Sequence, residues 1–182
     1  RSALAMHGGT PVRATLLPYG HQRVDEADIA AVVQVLRSDW LTTGPEVERF
    51  EAEFAAYVGT RHAVAFSSGT AALHGAVSVA GVGAGDEVIT TPMTFCSTAN
   101  CVLFQRGRPV FADVEEATLT IDPREVERRL TRKTKAILPV DYAGHPADLA
   151  AIREVADRHR LLVIEDACHA LGAESRGRRV GR

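Results

Sequence analysis

The residues with the most chemical potential lie in Val163-Ile-Glu-Asp-Ala-Cys-His-Ala170, where an apolar run delivers two acids and then a histidine. A carboxylate is costly to bury alone, so at least one of Glu165 and Asp166 must face a cation or a hydrogen-bond donor. A second segment, Val64-Ala-Phe-Ser-Ser-Gly-Thr-Ala-Ala-Leu73, passes from an extended pattern through a Ser/Gly/Thr turn into a helical one. Such a turn exposes unpaired N–H groups at the positive end of a helix dipole, which suits a phosphate. Gly69 lets the backbone approach closely and Thr70 adds a hydroxyl, although the same residue types also make an ordinary helix N-cap. Together the two segments point to a phosphorylated cofactor that needs a carboxylate at its far end. An Asp166 facing a pyridine nitrogen would keep that nitrogen protonated and make the ring an electron sink. His169 could donate to a ring oxygen or brace Asp166. In Thr90-Thr-Pro-Met-Thr-Phe-Cys-Ser-Thr98, Phe95 could lie flat against a planar ring, or be a core aromatic.

Other readings lose ground on context. Gly81-Val-Gly-Ala-Gly85 follows a helical pattern and precedes an extended one, the reverse of a dinucleotide fingerprint, so it reads as a C-cap and turn. A metal site has only His145 and His169 to supplement the acids, with no ligand spacing to tie them. Cys96, Cys101 and Cys168 form an odd set without CxxC spacing, expected as small buried thiols in a reducing cytoplasm. The formal charge of −2 favours neither nucleic acid nor an acidic membrane surface. No apolar run approaches the ~18–20 residues that span a bilayer. The lysines are Lys133 and Lys135, and neither sits where such a cofactor would want a covalent partner.

The elements that must position these residues alternate. Asp25 is placed to cap a helix carrying Ile29, Val32, Val33 and Leu36; Pro45 opens another that Gly59 ends. Extended runs are expected at His62–Phe66, Glu87–Thr90, Pro109–Ala112, Thr134–Val140 and Leu161–Glu165. Helices are expected at about 70–79, 95–105, 122–130 and 148–159. That alternation predicts an α/β fold, a mostly parallel sheet with helices on both faces. With 182 residues, 46% of them hydrophobic, one such domain can bury a sizeable core.

In this order the segments resemble the sugar-nucleotide aminotransferases of the DegT/DnrJ/EryC1/StrS family. The resemblance rests on Trp40-Leu-Thr-Thr-Gly-Pro45, Ser68–Leu73, Gly85–Phe95, Pro109–Asp113, Thr134–Ile137 and Ile164–Ala170. Val140-Asp-Tyr-Ala-Gly144 and His169-Ala-Leu-Gly172 look most like the PseC-type branch, which aminates a UDP-linked 4-keto-6-deoxy amino sugar on the route to pseudaminic acid. The resemblance implies the large domain of a fold type I pyridoxal-phosphate (PLP) transferase, truncated before the C-terminal domain. It further implies a cytoplasmic homodimer and glutamate as amino donor. By position, Gly69, Thr70 and Ala71 would hold the phosphate, Phe95 would stack on the ring, and Asp166 would pair with its nitrogen. His169 would lie beside the ring hydroxyl, and Thr42 and Thr43 at the substrate mouth. Residues 1–17 are then an N-terminal extension, a candidate for disorder, and 18–182 a partial PLP-binding large domain.

One departure from the family pattern stands out. The family's covalent lysine follows a Ser-Phe-His segment expected beyond Arg182, so no residue of this chain is assigned as catalytic. The chain alone is therefore expected to be inactive and prone to aggregate or dimerise. Two alternatives share the same residues: a PLP-dependent sugar dehydratase with histidine in place of that lysine, and a non-catalytic fragment or interaction module.

Overall fold

Strand β1 (Glu87–Thr90) is buried along its whole length, and its successive side chains enter two different cores. Val88 packs with Leu73, Val77, Val82, Cys101, Val102, Ala136 and Leu138 on one side. Ile89 packs with Ala112, Ile121, Val126, Ile137, Ile152 and Val155 on the other. A strand apolar on both faces belongs in the middle of a layered sheet, with helices covering each side.

The computed structural model describes residues 3–18 and 20–182, so the first two residues of the 1–17 extension lie outside the described residues. The chain divides into two units, 1–45 and 46–182. The first contains a 3-10 turn at Ala5–His7 and helix α1 (Glu26–Leu36). Asp25 caps α1 as the sequence predicts: its Oδ1 accepts from Ala27 N at 2.9 Å and Asp28 N at 3.1 Å, and Asp28 reciprocates to Asp25 N.

The second unit carries the layered domain. After α2 (Pro45–Val58), which ends at Gly59 with φ +81°, come α3 (Gly69–Val79), β1 and α4 (Ser97–Phe104). Then follow β2 (Arg108–Phe111), α5 (Pro123–Arg128), β3 (Thr134–Leu138), α6 (Leu149–His159) and β4 (Leu162–Val163). A short hairpin, β5 (Glu174–Ser175) with β6 (Arg178–Arg179), closes the described chain. The sheet runs β2-β1-β3-β4, parallel throughout. Helices α3 and α4 cover one face, α5 and α6 the other.

Three expected strands change, Thr134–Val140 among them, since it stops at Leu138 just before Pro139. His62–Phe66 is extended but forms no ladder among the described residues. Its contacts are side-chain ones: Ala65 N donates to Glu51 Oε1 at 2.7 Å, and the Phe66 ring lies over Gly75 of α3. High strand propensity becomes a strand only where a neighbour accepts its hydrogen bonds. Leu161–Glu165 is shortened to β4, because Pro139 on the adjoining chain has no N–H to continue the ladder. The pairing resumes beyond it: Asp166 N donates to Pro139 O at 2.9 Å, and Asp141 N to Asp166 O at 3.0 Å. The glycine run after α3 is a turn, as its context predicts, with Gly81 and Gly85 at positive φ.

Candidate functional site

The resumed ladder fixes Asp166 at the carboxyl end of the sheet, only 5% exposed. Its Oδ2 accepts from Thr98 Oγ1 at 2.8 Å and its Oδ1 from Cys168 N at 3.3 Å. The requirement that one of the two acids meet a donor is thus met by a hydroxyl from α4. Because the single Thr98 proton goes to Asp166, the 2.7 Å contact between Thr94 and Thr98 hydroxyls has Thr94 donating. A Thr94→Thr98→Asp166 relay therefore holds the carboxylate in one orientation.

Across a cleft of about 210 Å³ lies the N-terminus of α3. Ser68 caps it by accepting from Ala71 N at 3.2 Å. First-turn N–H groups have no intrahelical acceptor, so Gly69 and Thr70 present theirs outward. The Thr70 hydroxyl bonds that of buried Ser97 at 2.6 Å, tying the start of α3 to the start of α4. A Cβ on Gly69 would come within 3.0 Å of Cys168 Sγ, so a larger residue there would close the cleft floor.

Gly69, Thr70, Phe95, Asp166 and His169 all line this one cleft, with Leu73, Thr94, Ser97, Thr98, Val140 and Cys168. Ala71 does not: its N–H is spent on the Ser68 cap. Phe95 is 66% exposed, which rules out the core-aromatic alternative. His169 makes no bond to Asp166 and instead tilts against Tyr142, ring centroids 6.3 Å apart. Thr42 and Thr43 sit on an exposed bend of the first unit, Thr43 at φ +47°.

The cysteines correct one expectation, since Cys101 is buried whereas Cys96 and Cys168 are exposed. The thiol of Cys168 is pushed up to about 11 by desolvation and by Asp166, which favours its protonated form at neutral pH. Lys135 serves structure: its ammonium bonds Gly81 O and Asp86 Oδ2, the latter at 3.2 Å, pinning the turn at the opposite end of the sheet. Among the described residues no group of three or more His, Cys, Asp or Glu could hold a metal ion. No helix there is long and apolar enough to cross a membrane.

A parallel α/β domain with a held carboxylate at one end of its cleft and free helix N–H groups at the other is a cofactor-binding domain in class. The chain belongs to the DegT/DnrJ/EryC1/StrS aminotransferase family, whose model matches residues 22–182. It is 47% identical over 169 residues to the spore coat polysaccharide biosynthesis protein SpsC of Bacillus subtilis, covering 93% of this chain and 43% of SpsC. Among solved structures, DesV of S. venezuelae is 48% identical with a TM-score of 0.83, over 84% of this chain and 41% of DesV. PseC of Helicobacter pylori is 34% identical with a TM-score of 0.84, over 90% of this chain and 44% of PseC. The chain thus spans less than half the length of these relatives. The fold is the fold type I large domain expected, and the family's cofactor is pyridoxal phosphate, which solved relatives show in PLP- and PMP-bound forms.

Proposed function

We propose that this chain is the cofactor-binding portion of an aminotransferase acting on a keto sugar nucleotide. The observation that carries the reading is the cleft itself, with donors fitted to a phosphate at one end and a buried carboxylate fitted to a ring nitrogen at the other. When bound there, pyridoxal phosphate supplies an electron sink for the carbon that exchanges its amine. The Gly69 and Thr70 N–H groups, with the Thr70 hydroxyl, hold the phosphate. Asp166 keeps a proton on the ring nitrogen, and the Thr98 hydroxyl keeps Asp166 aimed. Phe95 covers one ring face and excludes water, while His169 lies beside the ring hydroxyl. Ala71 acts only through the helix start that its capped N–H helps to form.

The finer reading is a UDP-linked 4-keto-6-deoxy amino sugar, as in the PseC-type branch, with glutamate as donor and Thr42 and Thr43 at the substrate mouth. Likeness to PseC supports it, although identity to DesV is higher, so other keto sugars belong in the same assay. A homodimer fits the apolar residues exposed on α1, among them Ile29, Val32 and Leu36. The sugar dehydratase of the same family remains a second reading of the same cleft.

Titrating the purified chain with PLP and following its visible absorption tests the first claim. Saturable binding that Asp166→Ala abolishes supports the cofactor site. Binding that Asp166→Ala leaves untouched, or no binding by a folded chain, removes it.

A further inference from the structure

Directly behind Asp166 lies a second pair of acids for which the proposed chemistry has no use. Asp141 is fully buried; its Oδ1 accepts from Ala147 N at 2.9 Å, organising the turn from Tyr142 to Ala147. Glu165 precedes Asp166 in the chain, and its Oε2 accepts from Gly181 N at 3.0 Å. The remaining oxygen of each, Asp141 Oδ2 and Glu165 Oε1, is buried without a donor among the described residues. The two carboxyls meet each other. As two carboxylates they would be acceptors facing acceptors in a desolvated site, which is untenable; one proton between them satisfies both oxygens.

We propose that Asp141 and Glu165 share a single proton, and that this carboxyl–carboxyl hydrogen bond is the positioning device for Asp166. Both partners are coupled to it through the backbone. Asp141 N donates to Asp166 O at 3.0 Å, completing the ladder past Pro139, while Glu165 is the neighbouring residue on the same strand end. Splitting the pair separates the two chain segments whose hydrogen bond fixes Asp166. The turn carrying Asp141 has little slack of its own: Ala143 is at φ +53°, and a Cβ on Gly144 would meet His169 O at 3.3 Å.

The surroundings place the proton on Glu165. Burial pushes Glu165 up to about 7, and its bond to Asp141 adds to the rise. Burial also raises Asp141, but the bond from Glu165 opposes that rise, so Asp141 is the acceptor. Of the other groups acting on Asp141, Asp166 adds to the rise and His145 opposes it. Arg153 of α6 and Arg178, Arg179 and Arg182 of the C-terminal segment line the groove beside Glu165. Arg176 in the same groove is turned to Asp148 at 3.6 Å. Of these arginines, Arg153 favours the ionised form of Glu165, while Arg179 lies over the Tyr57 ring, so the proton is held only to about neutrality. Asp166 is therefore best held below about pH 7 and loosens above it.

The inference uses the proposed cofactor reading only for the task of Asp166, and its test separates the two. In the chain labelled with carboxyl carbon-13 at Asp and Glu, NMR should show Glu165 titrating near 7, with the Asp166 resonance moving at the same midpoint. Glu165→Gln supplies an amide N–H in place of the shared proton, as Asp141→Asn does from the other side. Each should keep the fold by circular dichroism and make the Asp166 resonance independent of pH from about 6 to 8.5. Glu165→Leu leaves Asp141 Oδ2 without a donor and should weaken PLP binding on the order of tenfold at pH 6, whereas Glu165→Gln stays near wild type. Above pH 8, Glu165→Gln should bind PLP more tightly than wild type does. An ordinary Glu165 titrating near ~4.3 overturns the proposal. So does an Asp166 resonance that ignores Glu165, or equal PLP binding by the Gln and Leu variants. If the folded chain binds no PLP, the cofactor reading fails, and the Asp166 resonance alone still decides this one.

Discussion

The hydroxyl that aims Asp166 belongs to Thr98, fully buried and 2.8 Å from the carboxylate. A hydrogen bond to a charged group contributes about 1.5–3 kcal/mol, and removing its donor leaves the acceptor unsatisfied. Thr98→Val keeps the side-chain shape, so the chain should fold while its dissociation constant for PLP rises roughly 10- to 100-fold. Isothermal titration at fixed pH checks this, and a change below about twofold would mean that Thr98 only packs. Sequence reasoning singled out the segment Thr90–Thr98 for Phe95 and passed over Thr98 itself. The i,i+4 spacing of Thr94 and Thr98 at a helix start was the available signal. Its partner Asp166 is 68 positions away, and that pairing exists only once α4 is docked on the sheet.

Among the elements, α3 and β3 do the positioning. Ser68 caps α3 through Ala71 N, and losing such a cap costs about 1 kcal/mol. Ser68→Ala should therefore lower the urea midpoint modestly and also weaken PLP binding, since the freed N–H groups no longer hold one direction. A variant that loses stability but binds PLP normally would separate the cap from the site. Ile137 in β3 is fully buried against α5 and α6, so Ile137→Ala should cost about 2–5 kcal/mol on urea unfolding. The elements themselves were largely legible in advance, because helix-start signals are local: Asp25 caps α1 as expected, and α5 and α6 begin within a residue of their expected starts. His62–Phe66 was not, because its composition carries strand propensity and ladder pairing is not local.

On the scale of the whole molecule, pH dependence follows from Glu165. Its native value of about 7 stands above the ordinary carboxylate value it regains on unfolding. Native protein then holds a proton that unfolded chain has released, so stability falls as pH rises through that interval. Its contribution is complete below about pH 4.5 and gone above neutrality. The pairs Asp86–Lys135 and Asp122–Arg124 act in the opposite sense, since their carboxyls are held low and lose support only in acid. The difference in melting temperature between wild type and Glu165→Gln should therefore shrink or change sign between about pH 5 and pH 8. A difference constant across that range would place the Glu165 proton elsewhere. Sedimentation of the chain over a range of concentrations tests the proposed homodimer, and a monomer throughout would leave the exposed face of α1 to another partner.

The residue order by itself determined the alternation of helices and strands, the parallel sheet and the family. Each of these is written in short-range periodicity, caps and contiguous motifs. It also marked five residues, Gly69, Thr70, Phe95, Asp166 and His169, that the fold gathers around one cleft. Only the tertiary structure decided that Ala71 turns its N–H to a cap, that Phe95 is exposed, and that Thr98 aims the carboxylate. It also set Glu165 against Asp141 in a buried pair. Parallel pairing brings strand ends together from distant parts of the chain, and the charge state of two acids depends on whether they meet out of water.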